Sequence, residues 1–214
     1  MKKQMKIYNK DKKVSKQILT TLAILLFGAA LGTFSKYLDY RQAQLPYLLH
    51  IMDERLDFHN FLGSFAPWIL IAVCISVKSA SPVRAAVNVF AFFTGMVSCY
   101  YLYTNFIAGF FPRNYAMIWF ALTMVSPFMA FFCWYARGNG KAAVIFSAGI
   151  LAVLFNLTFS YCLIYFDVIS IMHVVVFIAA ILLLRKSPAK TLVMMGMAII
   201  IAISVKIILP FHLW

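Results

Sequence analysis

The sequence predicts an all-α, polytopic transmembrane helical bundle of about seven spans, and three observations carry that prediction. Of 214 residues, 64% are apolar and only 12% charged, with a mean hydropathy of +0.90. A soluble domain lies nearer one half apolar and one quarter charged. Unbroken apolar runs of about 17–25 residues recur along the chain, the length a helix needs to cross a hydrocarbon core roughly 30 Å thick. The basic residues gather at the N-terminus and in short turns between those runs, which is the signature of membrane insertion.

Residues 1–16, "MKKQMKIYNKDKKVSK", form a basic N-terminal segment with seven lysines, and residues 17–214 form a single transmembrane domain. The spans read as Gln17–Leu38, Phe61–Val77, Pro82–Phe110, Tyr115–Tyr135, Ala142–Phe166, Val168–Leu184 and Thr191–Leu209. The first has the basic start of a secretory signal, but "FGAALGTFSKYLDY" continues it without a small-x-small cleavage site, so it reads as a retained helix. Gly28 and Gly32 within it form G-x-x-x-G, a spacing of small residues that lets helices approach closely. Pro67 and Pro127 fall inside the second and fourth spans, where they predict kinks.

Between the first two spans, "HIMDERLDFHNF" holds three of the six carboxylates and two of the four histidines. On a helical projection Leu45, Leu48, Leu49, Met52 and Leu56 share one face, and His50, Asp53, Glu54 and Asp57 the opposite one. An amphipathic interfacial segment is therefore expected at about residues 45–58. His50, Glu54 and Asp57 have the spacing to reach one divalent ion, but a solvated acidic face is the simpler reading, and no metal site is assigned.

The three later basic turns, "KSASPVRAAVNVF", "ARGNGKAAVIFS" and "RKSPAKTLVMMG", resemble one another. Ser81-Pro82 and Ser187-Pro188 have the order of an N-cap followed by proline at the first helical position. Arg84, Lys141 and Lys190 recur roughly every fifty residues, suggesting one leading helix and three hairpins. With the N-terminus cytoplasmic and the C-terminus outside, fourteen basic residues fall inside and five outside. The net charge of +13 thus reflects topology, and no nucleic-acid partner is implied.

The run from "FGAALGTFSKYLD" through "APWILIAVCISVKSASPVRAAVNVFAFFTGMVSCYYLY" resembles small polytopic bacterial integral-membrane proteins of unknown function. The resemblance covers about the first half of the chain and implies a multi-pass protein of the bacterial cell membrane. It implies no activity.

Polar residues inside spans are costly and mark function by default. Asn105, Asn156, His173, Tyr101, Tyr161, Arg113, Asp167 and Lys206 all fall toward the outer half under this orientation. Together they predict an outward-facing polar vestibule for small-solute binding or transport, by the chain alone or as a subunit with a membrane partner. A membrane interaction protein, serving immunity, assembly or sensing, is the alternative. Its contacts would use the G-x-x-x-G face and the amphipathic segment. An intramembrane enzyme ranks third: neither H-E-x-x-H nor G-x-S-x-G occurs, and Glu54 is the sole glutamate. No cofactor is implied. Cys74, Cys99, Cys133 and Cys162 lie in separate runs without a C-x-x-C pair.

Overall fold

The computed structural model describes residues 2–162 and 164–208, with the side chains of residues 2–13 and 43 outside the described set. The N-terminal lysine run therefore lies, Lys16 excepted, outside the described side chains, and the last residue of the expected seventh span, Leu209, and the C-terminus lie outside the described residues altogether. Among the described residues the chain is all-helical apart from one small hairpin. The helices are α1 (Lys2–Tyr40), α2 (Tyr47–Leu56), α3 (Phe58–Gly63), α4 (Ala66–Lys78), α5 (Pro82–Phe106), α6 (Arg113–Tyr135), α7 (Lys141–Thr158), α8 (Ile171–Leu184) and α9 (Pro188–Ile208). Strands β1 (Phe159–Tyr161) and β2 (Phe166–Val168) pair antiparallel between α7 and α8.

Five helical stretches among the described residues are long and apolar enough to cross a membrane: Val14–Tyr40, α5, α6, α7 and α9. Their outward side chains are apolar, with Leu19, Met124, Phe128, Leu192 and Ile200 each more than half exposed. The other two expected spans are shorter. α4 and α8, at 13 and 14 residues, rise only about 20 Å.

Both short helices depart from the expected boundaries for local reasons. The second span breaks at Ser64, whose extended backbone ends α3, so Pro67 sits in the first turn of α4, where no backbone donor is missed. The fifth span ends at Thr158 rather than Phe166. The aromatic and β-branched run that follows pairs Phe159 with Val168 and Tyr161 with Phe166, and Ile169 N donates to Thr158 O. The third span likewise stops at Phe106, and the sixth starts at Ile171.

Pro127 does lie inside α6. It deprives the Thr123 carbonyl of its usual donor, and the Ser126 hydroxyl replaces that donor at 2.8 Å. Ser81 caps α5 as expected, accepting from Arg84 N at 3.2 Å.

Two apolar cores are built around α4. One joins α4 to α5 and α6 through Trp68, Val89, Phe92, Met96 and Trp119, and the other joins it to α7, α8 and α9. α1 lies parallel to α5 with backbones in contact: a Cβ on Gly28 or Gly32 would collide with the carbonyls of Phe92 or Met96, and one on Gly95 with that of Leu25. The G-x-x-x-G face is therefore consumed within the chain.

The turns at one end are tied by basic side chains. Arg84 donates to Gln17 O at 2.7 Å and Thr21 Oγ1 at 2.6 Å, beside the buried Asn88, whose amide reaches Ser79 Oγ. Arg137 and Trp134 both donate to Ser79 O. Lys186 donates to Ala136 O and Gly138 O at the C-terminal end of α6, and Lys190 to Asn139 O. Burial, then the charge of Lys190, hold the Lys186 ammonium below the usual lysine range.

Candidate functional site

The opposite end of the bundle is organised by the elbow between α3 and α4. The carbonyls of Leu62 and Gly63 and the hydroxyl of Ser64 receive side chains from four helices. Trp68 Nε1 donates to Leu62 O at 2.8 Å, and Ser35 Oγ approaches the same oxygen at 3.4 Å. Tyr115 donates to Gly63 O at 3.4 Å, and His173 Nε2 lies 3.1 Å from Ser64 Oγ. Protein buries the elbow on one side and a cleft meets it on the other.

On the α8 side, His173 is buried with both ring nitrogens engaged, Nδ1 by Ser170 Oγ at 2.8 Å and Nε2 by Ser64. Phe61 packs edge-on against the imidazole, and Thr158 Oγ1 bridges Leu154 O and His173 O. This cluster satisfies the ends of α3, α7 and α8 and leaves the imidazole nothing to offer a ligand.

On the α5–α6 side lies a small cleft of about 20 Å³, lined by Ser35, Leu62, Gly63, Met96 and Val97 and by five aromatic rings: Trp68, Tyr100, Tyr101, Tyr115 and Trp119. Its enclosed part holds about one water. Tyr101 is 4% exposed and its hydroxyl has no hydrogen-bond partner. Thr94 Oγ1 is the other such buried side-chain group among the described residues. Edge-on and tilted ring contacts fix Tyr101, with Tyr100, Phe111 and Phe120 at centroid distances of 5.1, 5.5 and 5.6 Å.

Next to the cleft, Lys36 is 5% exposed, although it is the cation of the otherwise apolar stretch Gln17–Leu38 of α1. Its ammonium pairs with Asp39 one turn along α1 and lies 5.4 Å from the Tyr100 centroid and 5.0 Å from that of Phe110. Asp39 itself is half-exposed.

The expected vestibule residues do not converge on one space. Of the eight, Tyr101 alone lines the cleft. Asn156, Tyr161 and Lys206 make a separate group: Tyr161 donates to Asn156 Oδ1 at 2.7 Å, Asn156 Nδ2 donates to Ala202 O, and Lys206 Nζ sits 3.9 Å from the Tyr161 centroid. Depth made Asn156 conspicuous, and its bonds tie α7 to α9. Asn105, Arg113 and Asp167 are exposed, the last bonded only to its neighbour Val168 N.

The acidic segment is also rearranged. α2 ends at Asp57, which adopts a left-handed conformation (φ 51°) and starts α3. Asp53, expected on the solvated face, is buried, accepting from His59 N at 2.8 Å with His59 Nδ1 at 2.9 Å. Of the expected apolar face, Leu48 and Met52 are exposed and Leu45, Leu49 and Leu56 half-buried, while His50, Glu54 and Asp57 of the opposite face are exposed. His50, Glu54 and Asp57 form no metal-binding group among the described residues.

Sequence reasoning missed Lys36, Trp68, Tyr115, Trp119 and the Ser64 elbow. The lysine carried a signal, since an ionisable residue within the first span is costly. The aromatics carried none that separates them from an interfacial belt.

Residues 11–212 match Family of unknown function (DUF6518), and the chain belongs to that family. The likeness first visible over half of the chain thus extends over nearly all of it. No curated protein and no solved structure matches the chain.

Proposed function

We propose that this is a multi-pass protein of the cell membrane that binds a small solute in the aromatic cleft at its outer end, for transport or as the recognition step of a transport complex. Seven apolar helices alternating across the bilayer, with a cytoplasmic N-terminus, support the membrane reading, α4 and α8 completing their spans through the elbow and the hairpin. The parallel pairing of α1 with α5 fits that alternation, because first and third spans must run the same way. The basic turns at one end and the hairpin at the other support a cytoplasmic N-terminus.

The Tyr101 hydroxyl carries the solute reading. A buried polar group without a partner costs about 1–3 kcal/mol, and this one is held rigidly at the wall of a cleft rimmed by aromatic rings. Small-molecule sites have this composition, mostly apolar walls with a few convergent polar groups. The partner-protein reading loses the support of Gly28 and Gly32, which are occupied by α5.

Native mass spectrometry of the full chain in nanodiscs, screened against a library of small aromatic compounds, tests the proposal. At least one compound should give a reproducible adduct that is lost in Trp119→Ala and kept in Asn156→Leu. An absence of adducts across the library, or an adduct indifferent to Trp119 and dependent on Asn156, would overturn it.

A further inference from the structure

A shallow groove of about 450 Å³ runs along one flank of α1, lined by Lys16, Leu19, Thr20, Ala23, Ile24 and Phe27. These positions share one helix face, and the short side chains of Thr20 and Ala23 lie between longer ones, which hollows the stripe. All six belong to α1, so no other described segment of the chain lines the groove.

The groove has the length of one leaflet. Lys16 stands two residues inside the span Val14–Tyr40, and Phe27 at the midpoint of that span. The helix rises about 16 Å between them, against roughly 15 Å for half of a hydrocarbon core. Phe27 closes the deep end, its ring 6.1 Å from that of Phe92 on α5. The flank thus starts at headgroup depth with an exposed ammonium and ends near the bilayer centre.

Charge selects the occupant. Lys16 makes no ion pair among the described residues. Five of the six acids, Asp39, Asp53, Glu54, Asp57 and Asp167, lie toward the far end of the bundle. A second copy fits poorly: two chains inserted the same way and meeting here about a two-fold axis would set Lys16 against Lys16 at one depth. A phosphatidylcholine headgroup carries its own cation beside the phosphate. A phosphatidylglycerol headgroup carries none and leaves the phosphate charge to Lys16.

We propose that the groove holds one anionic phospholipid of the cytoplasmic leaflet. Its phosphate pairs with Lys16, and one acyl chain lies over Thr20, Ala23 and Ile24 as far as Phe27. This rests on the membrane placement above and is independent of the cleft.

Native mass spectrometry of the full chain, released from detergent containing equal amounts of phosphatidylglycerol and phosphatidylcholine with the same acyl chains, tests the site. The first lipid retained should be phosphatidylglycerol by about fivefold, the effect of one lysine at an anionic surface. Lys16→Gln should abolish that preference. Lys141→Gln, at an exposed lysine of the same end but off the groove, should preserve it. Ala23→Phe, which fills the groove from an exposed position, should reduce retention of both lipids. Equal retention of the two lipids by the wild-type chain, a preference that survives Lys16→Gln, or a dimer broken by Ala23→Phe would overturn the lipid site and leave the membrane placement intact. A chain that stays soluble and monodisperse without detergent would overturn both.

Discussion

His173 Nε2 lies 3.1 Å from Ser64 Oγ, joining the start of α8 to the elbow ahead of α4. With Ser170 on the other nitrogen, the imidazole closes a buried polar cluster at three helix ends. Removing it leaves the Ser170 hydroxyl without its partner and Ser64 Oγ with only its bond to Phe61 O. His173→Leu should therefore cost about 2–3 kcal/mol of stability, read as a lowered unfolding midpoint in detergent, whether or not a solute is present. An unchanged midpoint would mean that the cluster is not a structural one.

Tyr101 predicts the reverse. Its ring is packed edge-on against Tyr100 but its hydroxyl has no hydrogen-bond partner among the described residues, so Tyr101→Phe should change solute-free stability by no more than about 0.5 kcal/mol, and toward stabilisation. Thermal unfolding measures this. A clear loss of stability would show that the hydroxyl has a structural partner.

The glycines divide by what faces them. Gly95→Ala drives a methyl into the Leu25 carbonyl, and backbone cannot yield as a side-chain tip does. It should destabilise by about 1–3 kcal/mol. Gly149→Ala, which meets nothing within 4 Å on α7, should be neutral or stabilising by up to about 1 kcal/mol. Comparing the two in one unfolding assay controls for the substitution itself.

Ser126 and Pro127 form a compensated pair. Ser126→Ala leaves the Thr123 carbonyl without a donor and should cost about 1 kcal/mol. In a Pro127→Ala background, where the main-chain N–H can return to that carbonyl, the same change should cost much less. A double-mutant cycle on unfolding free energies measures the coupling; additive effects would refute it.

Cys162 tests the orientation. It is exposed beside the β-hairpin, whereas Cys74, Cys99 and Cys133 are partly buried within α4, α5 and α6. A membrane-impermeant maleimide applied to intact cells should label the wild-type chain, and Cys162→Ser should abolish the labelling. Labelling only after permeabilisation would place the hairpin on the cytoplasmic side.

The all-helical class, the positions of the apolar segments and the start of α5 at Ser81-Pro82 were legible in the sequence because each depends on local chemistry: run length, charge placement and a cap two residues wide. Membership of a family without an assigned activity was legible from the same stretches. The β-hairpin was not, since an aromatic and β-branched run inside an apolar stretch supports helix or strand, and only the pairing of Phe159 with Val168 decides. Nor was the fate of buried polarity. Asn156, His173 and Tyr101 look alike in sequence, three polar groups at similar depth. Tertiary contacts give the first two their partners, Ala202 O and Tyr161 for one, Ser64 and Ser170 for the other, and leave the Tyr101 hydroxyl without any. Sequence determined where polar groups would sit along the helices, because hydrophobicity is a property of each residue. Only the packing of distant segments decided which of them were satisfied, because a hydrogen bond needs two groups and the second lies up to 109 residues away.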